Sequence, residues 1–261
     1  MNAIQKAMII KDIKEILGSK QMLIPMIIVP AIMMLVLPLA LVIGAQYGVS
    51  GINGMDYMVK ALGGKFKDLN GPQMLFEIAL NYMFPMFFLI IPIMASSIIG
   101  ASSFVGEKEH KTMESLLYTP LSIKELFFAK VIGTAVPAFI VTIFSAVIFG
   151  IVINIGGLIY FESLVFPNFK WLVLIFWVSP AVTILAIYFM VLVSTKANTF
   201  QDAQQMSVFI ILPIIFLMVG QATGLFILNE MILFLVGAAL FIIDYFLMKK
   251  SAAQFIPEKL V

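Results

Sequence analysis

The sequence predicts an all-α integral membrane protein with six transmembrane helices and both termini in the cytoplasm. Three observations carry this. Hydrophobic residues fill 62% of the 261 positions and charged residues 11%, against about 25% charged in a soluble domain. Six apolar runs approach the roughly 20 residues that cross a hydrocarbon core of about 30 Å. Placing the termini and a polar island at 106–130 in the cytoplasm puts twelve of the sixteen lysines inside and four, Lys60, Lys65, Lys67 and Lys170, outside, as the positive-inside rule favours. The chain reads as a single transmembrane domain over 1–261, with an interfacial helix at 1–20, an outer loop at 46–80 and a cytoplasmic segment at 106–122.

The N-terminal stretch mixes Asp12 and Glu15 with four lysines, and the apolar segment after it is too long for a signal h-region. At about 100° per residue, Ile9, Ile10, Ile13, Ile16 and Leu17 fall within a third of a turn, while Lys11, Asp12, Lys14 and Glu15 lie elsewhere. This predicts a helix along the inner membrane surface, with Lys6, inside the apolar arc, snorkelling outward.

The first span runs from Leu23 to Ala45. The loop at 46–80 holds six glycines and is too short for a separate domain of about 50 residues or more. The second span, Asn81 to Val105, offers Ser96, Ser97, Gly100, Ser102 and Ser103 as a small-residue face for close helix contact. The third and fourth run from Phe127 to Ile155 and from Trp171 to Val193. Between the fifth, Met206 to Gly220, and the sixth, Met231 to Met248, only a short break intervenes. A re-entrant segment shielded by protein is the alternative there, and two spans joined by an irregular outer connection are the reading taken. Pro25, Pro30, Pro38, Pro85, Pro92, Pro137, Pro180 and Pro213 fall inside spans, where each removes a backbone hydrogen bond and permits a kink.

The island from Gly106 to Lys130, with eight charged side chains and the only histidine, His110, must lie outside the lipid, because each charge at mid-bilayer costs about 2.5 to 3.5 kcal/mol. Gly106 is read as closing the second span. Glu107 and Lys111 follow at the favourable i,i+4 spacing, and Met113, Leu116 and Leu117 give a short helix, Glu107 to Tyr118, an apolar stripe. Thr119 and Pro120 stop it. Ser122 and Glu125 then form a capping box for the next helix. An apolar stripe on a helix outside the bilayer suits a protein groove or the headgroup layer.

Several chemistries are excluded. The chain has no cysteine and one histidine, so there is no thiolate site, no His-Glu-x-x-His pattern and no sequence signature of an intramembrane hydrolase. All sixteen basic residues are lysine, which removes any bidentate arginine clamp for phosphate or carboxylate. A net charge of +2 does not argue for nucleic acid. No G-x-x-x-x-G-K-[ST] phosphate loop is present; Gly100 and Gly106 bracket five residues and are followed by glutamate. Ser96, Ser97, Ser145, Asn154, Ser179 and Thr183, with Thr142, are candidates for lining a pathway or bonding between helices. Asp244, near the inner surface, is expected to pair with Lys249 or Lys250.

The run GEKEHKTMESLLYTPLS followed by IKELFFAK resembles the cytoplasmic signature of the membrane subunits of type-2 ABC transporters. The matching positions are Glu107, Glu109, Thr112, Glu114, Leu116, Leu117, Thr119, Pro120 and Lys130. His110 and Lys111 depart from it, standing where a second basic residue and a glycine are common. KANTFQDAQQMSVFIILP, Lys196 to Pro213, is similar to the loop and fifth-span entry of that family. The resemblance implies a permease subunit in the cell membrane, paired with a second copy of itself or a related permease and with two separate ABC ATPase subunits. ATP and magnesium then belong to the ATPase, and this chain carries no cofactor and no catalytic residue. It also implies that Glu107, Glu109, Thr112, Met113, Glu114, Leu116, Leu117 and Pro120 form a coupling segment docked on the ATPase. The expected activity is ATP-driven export of an amphipathic or hydrophobic compound, such as a peptide, drug or lipid-like molecule. A sodium-efflux permease is the alternative within the class, and a non-transporting scaffold or signalling protein that binds an ATPase is the alternative outside it.

Overall fold

The computed structural model describes residues 3–46, 69–112, 122–223 and 229–254. Seven helices follow in order: α1, Ala3–Gly18, then α2 Lys20–Ala45, α3 Gly71–Glu109, α4 Ile123–Phe161, α5 Phe169–Ser194, α6 Phe200–Gln221 and α7 Glu230–Ala252. The last six are long and apolar enough to cross a membrane, and the described residues contain no strand. The break between α6 and α7 separates two full helices, as the two-span reading requires.

Several boundaries move outward from the sequence reading because polar caps start the helices earlier than the apolar runs do. The final ten residues of the expected outer loop belong to α3. Asn70 Oδ1 accepts from Gln73 N at 3.0 Å and Gln73 Oε1 from Asn70 N at 3.2 Å, which makes a reciprocal cap with Pro72 in the first turn. Thr199 and Asp202 do the same for α6. The box expected at Ser122 and Glu125 is present, with Ser122 N donating to Glu125 at 2.9 Å. The 39 residues of α3 and of α4 make rods of about 58 Å, nearly twice the hydrocarbon thickness, so both project from the membrane.

Three of the prolines are accommodated by a local widening of the helix. The π turns Ile32–Val36, Ala79–Met83 and Leu174–Val178 each end two residues before a proline: Pro38, Pro85 and Pro180. In each, the residue after the π turn donates five residues back: Leu37 to Ile32, Phe84 to Ala79 and Ser179 to Leu174. The residue four positions before each proline, Met34, Asn81 or Phe176, lies inside the π turn, where the wider backbone gives room to the carbonyl that the ring would crowd in a regular α-helix. A fourth π turn, Ala101–Gly106, precedes no proline and leads directly into Glu107.

Burial ranks the helices. In α3, 78% of the apolar window is buried and in α5 61%, against 17% in α7, so α3 and α5 form the centre and α7 the rim. At the end of the bundle bearing the turn 162–168, Phe88, Phe149 and Trp171 pack as an aromatic knot. Trp171 lies 5.4 Å from Phe88 and 4.6 Å from Phe149 between ring centres, and its indole N–H donates to Leu80 O at 3.2 Å. At the opposite end α1 lies against α4 and α2, beside the end of α3 and the start of α6.

The helix α1 corrects the expectation of a single lipid-facing arc. Its buried side chains are Met8, Ile9, Asp12 and Ile16, while Ile10 and Leu17 are exposed. At 100° per residue the buried set spans about 80° to 180° and the exposed pair lies near 270°. The apolar arc is therefore divided between a protein face and an outward face, and Asp12 lies in the middle of the protein face. Lys6 is exposed.

Candidate functional site

Glu107 is the centre of a buried charge joint that ties three helices together. It stands in the last turn of α3 and is 3% exposed. Glu107 Oε1 accepts from Lys11 Nζ of α1 at 2.8 Å, and Oε2 accepts from Lys130 Nζ of α4. Lys130 has no exposed surface; its ammonium also donates to Ser103 O and lies 5.6 Å from the centre of the Phe104 ring. The π turn before Glu107 makes this possible, because one extra residue in the helix swings the following side chains by about 100° relative to a regular α-helix.

Around this pair lie Asp12, 5% exposed, and Glu15. Lys11 Nζ is 4.0 Å from Asp12 Oδ1 and 3.9 Å from Glu15 Oε2, and Ser102 donates to Glu15 at 3.1 Å. Burial pulls the Lys11 pKa down, but the hydrogen bond that Lys11 donates to Glu107 and the charges of Glu107, Asp12 and Glu15 outweigh it and hold Lys11 above its usual value. Gly133 of α4 provides the floor: a Cβ there would lie 3.2 Å from Asp12 Oδ2 and 3.7 Å from Ile9.

Over residues 107–112 the chain departs from the expected short helix. Gly106 is buried inside α3 instead of ending it, and the helix stops at Glu109. Lys111 adopts φ 57°, the left-handed conformation that closes helices and favours glycine. Thr112 turns back, its N–H donating to Glu107 O at 2.9 Å and its hydroxyl at 3.3 Å. The i,i+4 pair of Glu107 and Lys111 is thus not formed: Lys111 lies past the helix end, and Glu107 is occupied by Lys11 and the buried Lys130. Glu109 accepts from Phe200 N at 2.7 Å, fastening the end of α3 to the start of α6. Met113, Glu114, Leu116, Leu117, Thr119 and Pro120 lie outside the described residues.

Beside the joint, a polar cavity of about 310 Å³ opens between the α1–α2 elbow, the end of α3 and the start of α6, with Glu15, Ser102, Glu109, His110 and Thr199 on its walls. Asp12, Glu15, Ser102 and Ser103 also line a crevice of about 10 Å³ between α1 and α3.

The other polar residues singled out in the sequence do not converge on these cavities. Ser96, Ser145 and Thr183 each donate to a carbonyl of their own helix, at Pro92, Val141 and Ser179. Ser97 and Ser179 are buried, and their hydroxyls have no hydrogen-bond partner among the described residues. Asn154 holds the turn 162–168: its side chain donates to Phe166 O at 2.8 Å and accepts from Val165 N at 3.1 Å and Phe166 N at 3.0 Å. Asp244 corrects another expectation. It is 4% exposed, and neither oxygen has a hydrogen-bond partner among the described residues. Residues five and six positions on leave a helix on a different side, since only i+3 and i+4 neighbours meet. Lys249 lies instead over the Tyr245 ring, 4.5 Å from its centre.

Lys11 and Asp12 were invisible as site residues in the sequence. The one available signal was that Asp12 sits three residues after Ile9 and four before Ile16, on a shared helical face. The family model described as ABC-2 family transporter protein matches residues 7–254, which includes the whole joint. No curated protein and no solved structure matches the chain.

Proposed function

The chain belongs to the ABC-2 family of transporter proteins, and from that premise we propose that it is the membrane subunit of an ATP-driven exporter of amphipathic or hydrophobic compounds. Its termini and the α1 end lie in the cytoplasm of a cell-membrane complex with two ABC ATPase subunits and a second permease chain. ATP and magnesium bind the ATPase. The segment 113–121 is the part that docks on it.

The single observation that carries the reading is the position of Glu107. It is the last buried side chain before that segment and joins α3 to α1 and α4 at once. A displacement of the segment is thereby passed to the span on either side of it and to the N-terminal helix. This modifies the expected role of Glu107, which acts from inside as an anchor, while the surface offered to the ATPase comes from residues beyond Thr112. Ser96, Ser145 and Thr183 bond to carbonyls of their own helices and offer no array for a hydrated ion, which favours cargo with apolar surface.

The experiment is copurification of the chain with its ATPase, followed by ATP hydrolysis in lipid with candidate compounds. The reading requires stimulation by an amphipathic compound and loss of ATPase binding in Leu116→Asp. A Leu116→Asp chain that binds the ATPase with unchanged affinity removes the coupling assignment, and stimulation by sodium ions alone replaces the cargo.

A further inference from the structure

The charges at the joint do not balance. Asp12, Glu15 and Glu107 bring three carboxylates, and Lys11 and Lys130 bring two ammonium groups. The groups around Asp12 come from its own helix, from α3 and from α4. On its own helix they are Lys11 and Glu15; from α3 they are Glu107, Ser102 and Ser103; from α4 they are Lys130 and Gly133. Glu107 takes both lysines as its hydrogen-bond donors. Asp12 Oδ2 is buried with no hydrogen-bond partner among the described residues. The crevice that Asp12 helps to line, about 10 Å³, has room for about one water molecule.

An ionised carboxylate held in this way is costly, because desolvation is not repaid by bonding. One added proton removes the excess: two carboxylates then face two ammonium groups, and Asp12 becomes a neutral donor to the crevice. We propose that Asp12 is a proton-binding site that couples the docking of α1 on α3 and α4 to pH, with α1 held more tightly when Asp12 is protonated. This holds whatever compound the protein transports, since it concerns only the attachment of α1.

Burial, opposed by Lys130 and assisted by Glu107, raises the Asp12 carboxyl from 3.8 to about 6. The sign follows from linkage. A group whose pKa is higher in the docked state stabilises docking fully below its solvated value, and that stabilisation is lost as pH rises through the docked value. Docking is therefore favoured by about ten-fold at pH 5 relative to pH 8.

Amide hydrogen exchange of α1 in the full chain, reconstituted in lipid discs and corrected for the intrinsic pH dependence of exchange, reads this opening equilibrium directly. Wild type is expected to show about ten-fold greater protection of α1 at pH 5 than at pH 8. Asp12→Asn, a neutral mimic of the protonated acid, is expected to show no such difference. Glu15→Gln, which removes a neighbouring negative charge, is expected to shift the wild-type transition toward lower pH and serves should Asp12→Asn fail to fold. Protection independent of pH in wild type, an unaltered transition in Asp12→Asn, or an unmoved transition in Glu15→Gln overturns the proposal. So does protection that follows sodium against choline at fixed pH, which would make the crevice a metal-cation site.

Discussion

Lys130 and Glu107 close an ion pair between α4 and α3 at a point where Lys130 has no contact with solvent. The chain between them, residues 108–129, is thus closed at its base by a bond that water does not compete for. Removing one partner strands a buried charge, which costs about 3–5 kcal/mol. Glu107→Gln and Lys130→Met are each expected to lower the thermal unfolding temperature in detergent substantially. Glu107→Gln combined with Lys130→Met is expected to cost less than the sum of the single changes, because neither member of the buried pair is then left charged without the other. Additive losses would show that the two side chains act separately.

Asn154 offers a test that separates structure from transport. Its three hydrogen bonds to the turn 162–168 are each worth about 0.5–1.5 kcal/mol, so Asn154→Leu should destabilise by about 2–3 kcal/mol. The compound preference of the residual transport should be unchanged. A variant of normal stability with an altered range of compounds would place Asn154 on the path instead.

Lys111 holds a left-handed backbone, φ 57°, at a cost of about 1 kcal/mol for a residue with a Cβ. Lys111→Gly is expected to stabilise the end of α3 by about 0.5–1 kcal/mol, read as slower hydrogen exchange of the amides of His110 and Thr112. Faster exchange there would mean that the lysine side chain, and not the backbone, sets the order of this turn.

Gly237 of α7 faces Trp177 so closely that an added Cβ would lie 2.4 Å from the indole ring. Trp177 stacks on Phe234 at 5.0 Å and donates to its carbonyl at 3.1 Å. Gly237→Ala should push α7 from α5, lower stability by about 1–3 kcal/mol and shift the fluorescence of Trp177, isolated in a Trp171→Phe background. Unchanged emission would mean that the contact yields without moving the ring.

The six spans were legible because crossing lipid demands long apolar runs, and sequence displays such runs directly. The capping box at Ser122 was legible for a similar reason, since a cap is a local matter of four residues. The start of α3 was missed although Asn70 and Gln73 carry the same signal, because glycines upstream made the stretch read as loop. The joint itself was half visible. Glu107 and Lys130 stood out as polar residues in a family-like motif, but nothing in their spacing says that a π turn aims one at the other. Asp12 was misplaced for a physical reason: periodicity finds an apolar arc but does not tell which part of it faces lipid and which faces protein.

The 39-residue helix α4 runs unbroken from the cap at Ser122 through Lys130 and Gly133 to Asn154 and Phe161. As a rod of about 58 Å, it turns a tilt of about 5° at one end into a shift of about 5 Å at the other. Lys130 and Asn154 stand 24 residues apart on this rod, about 36 Å, so a tilt of about 5° about one of them shifts the other by about 3 Å without any intermediate relay.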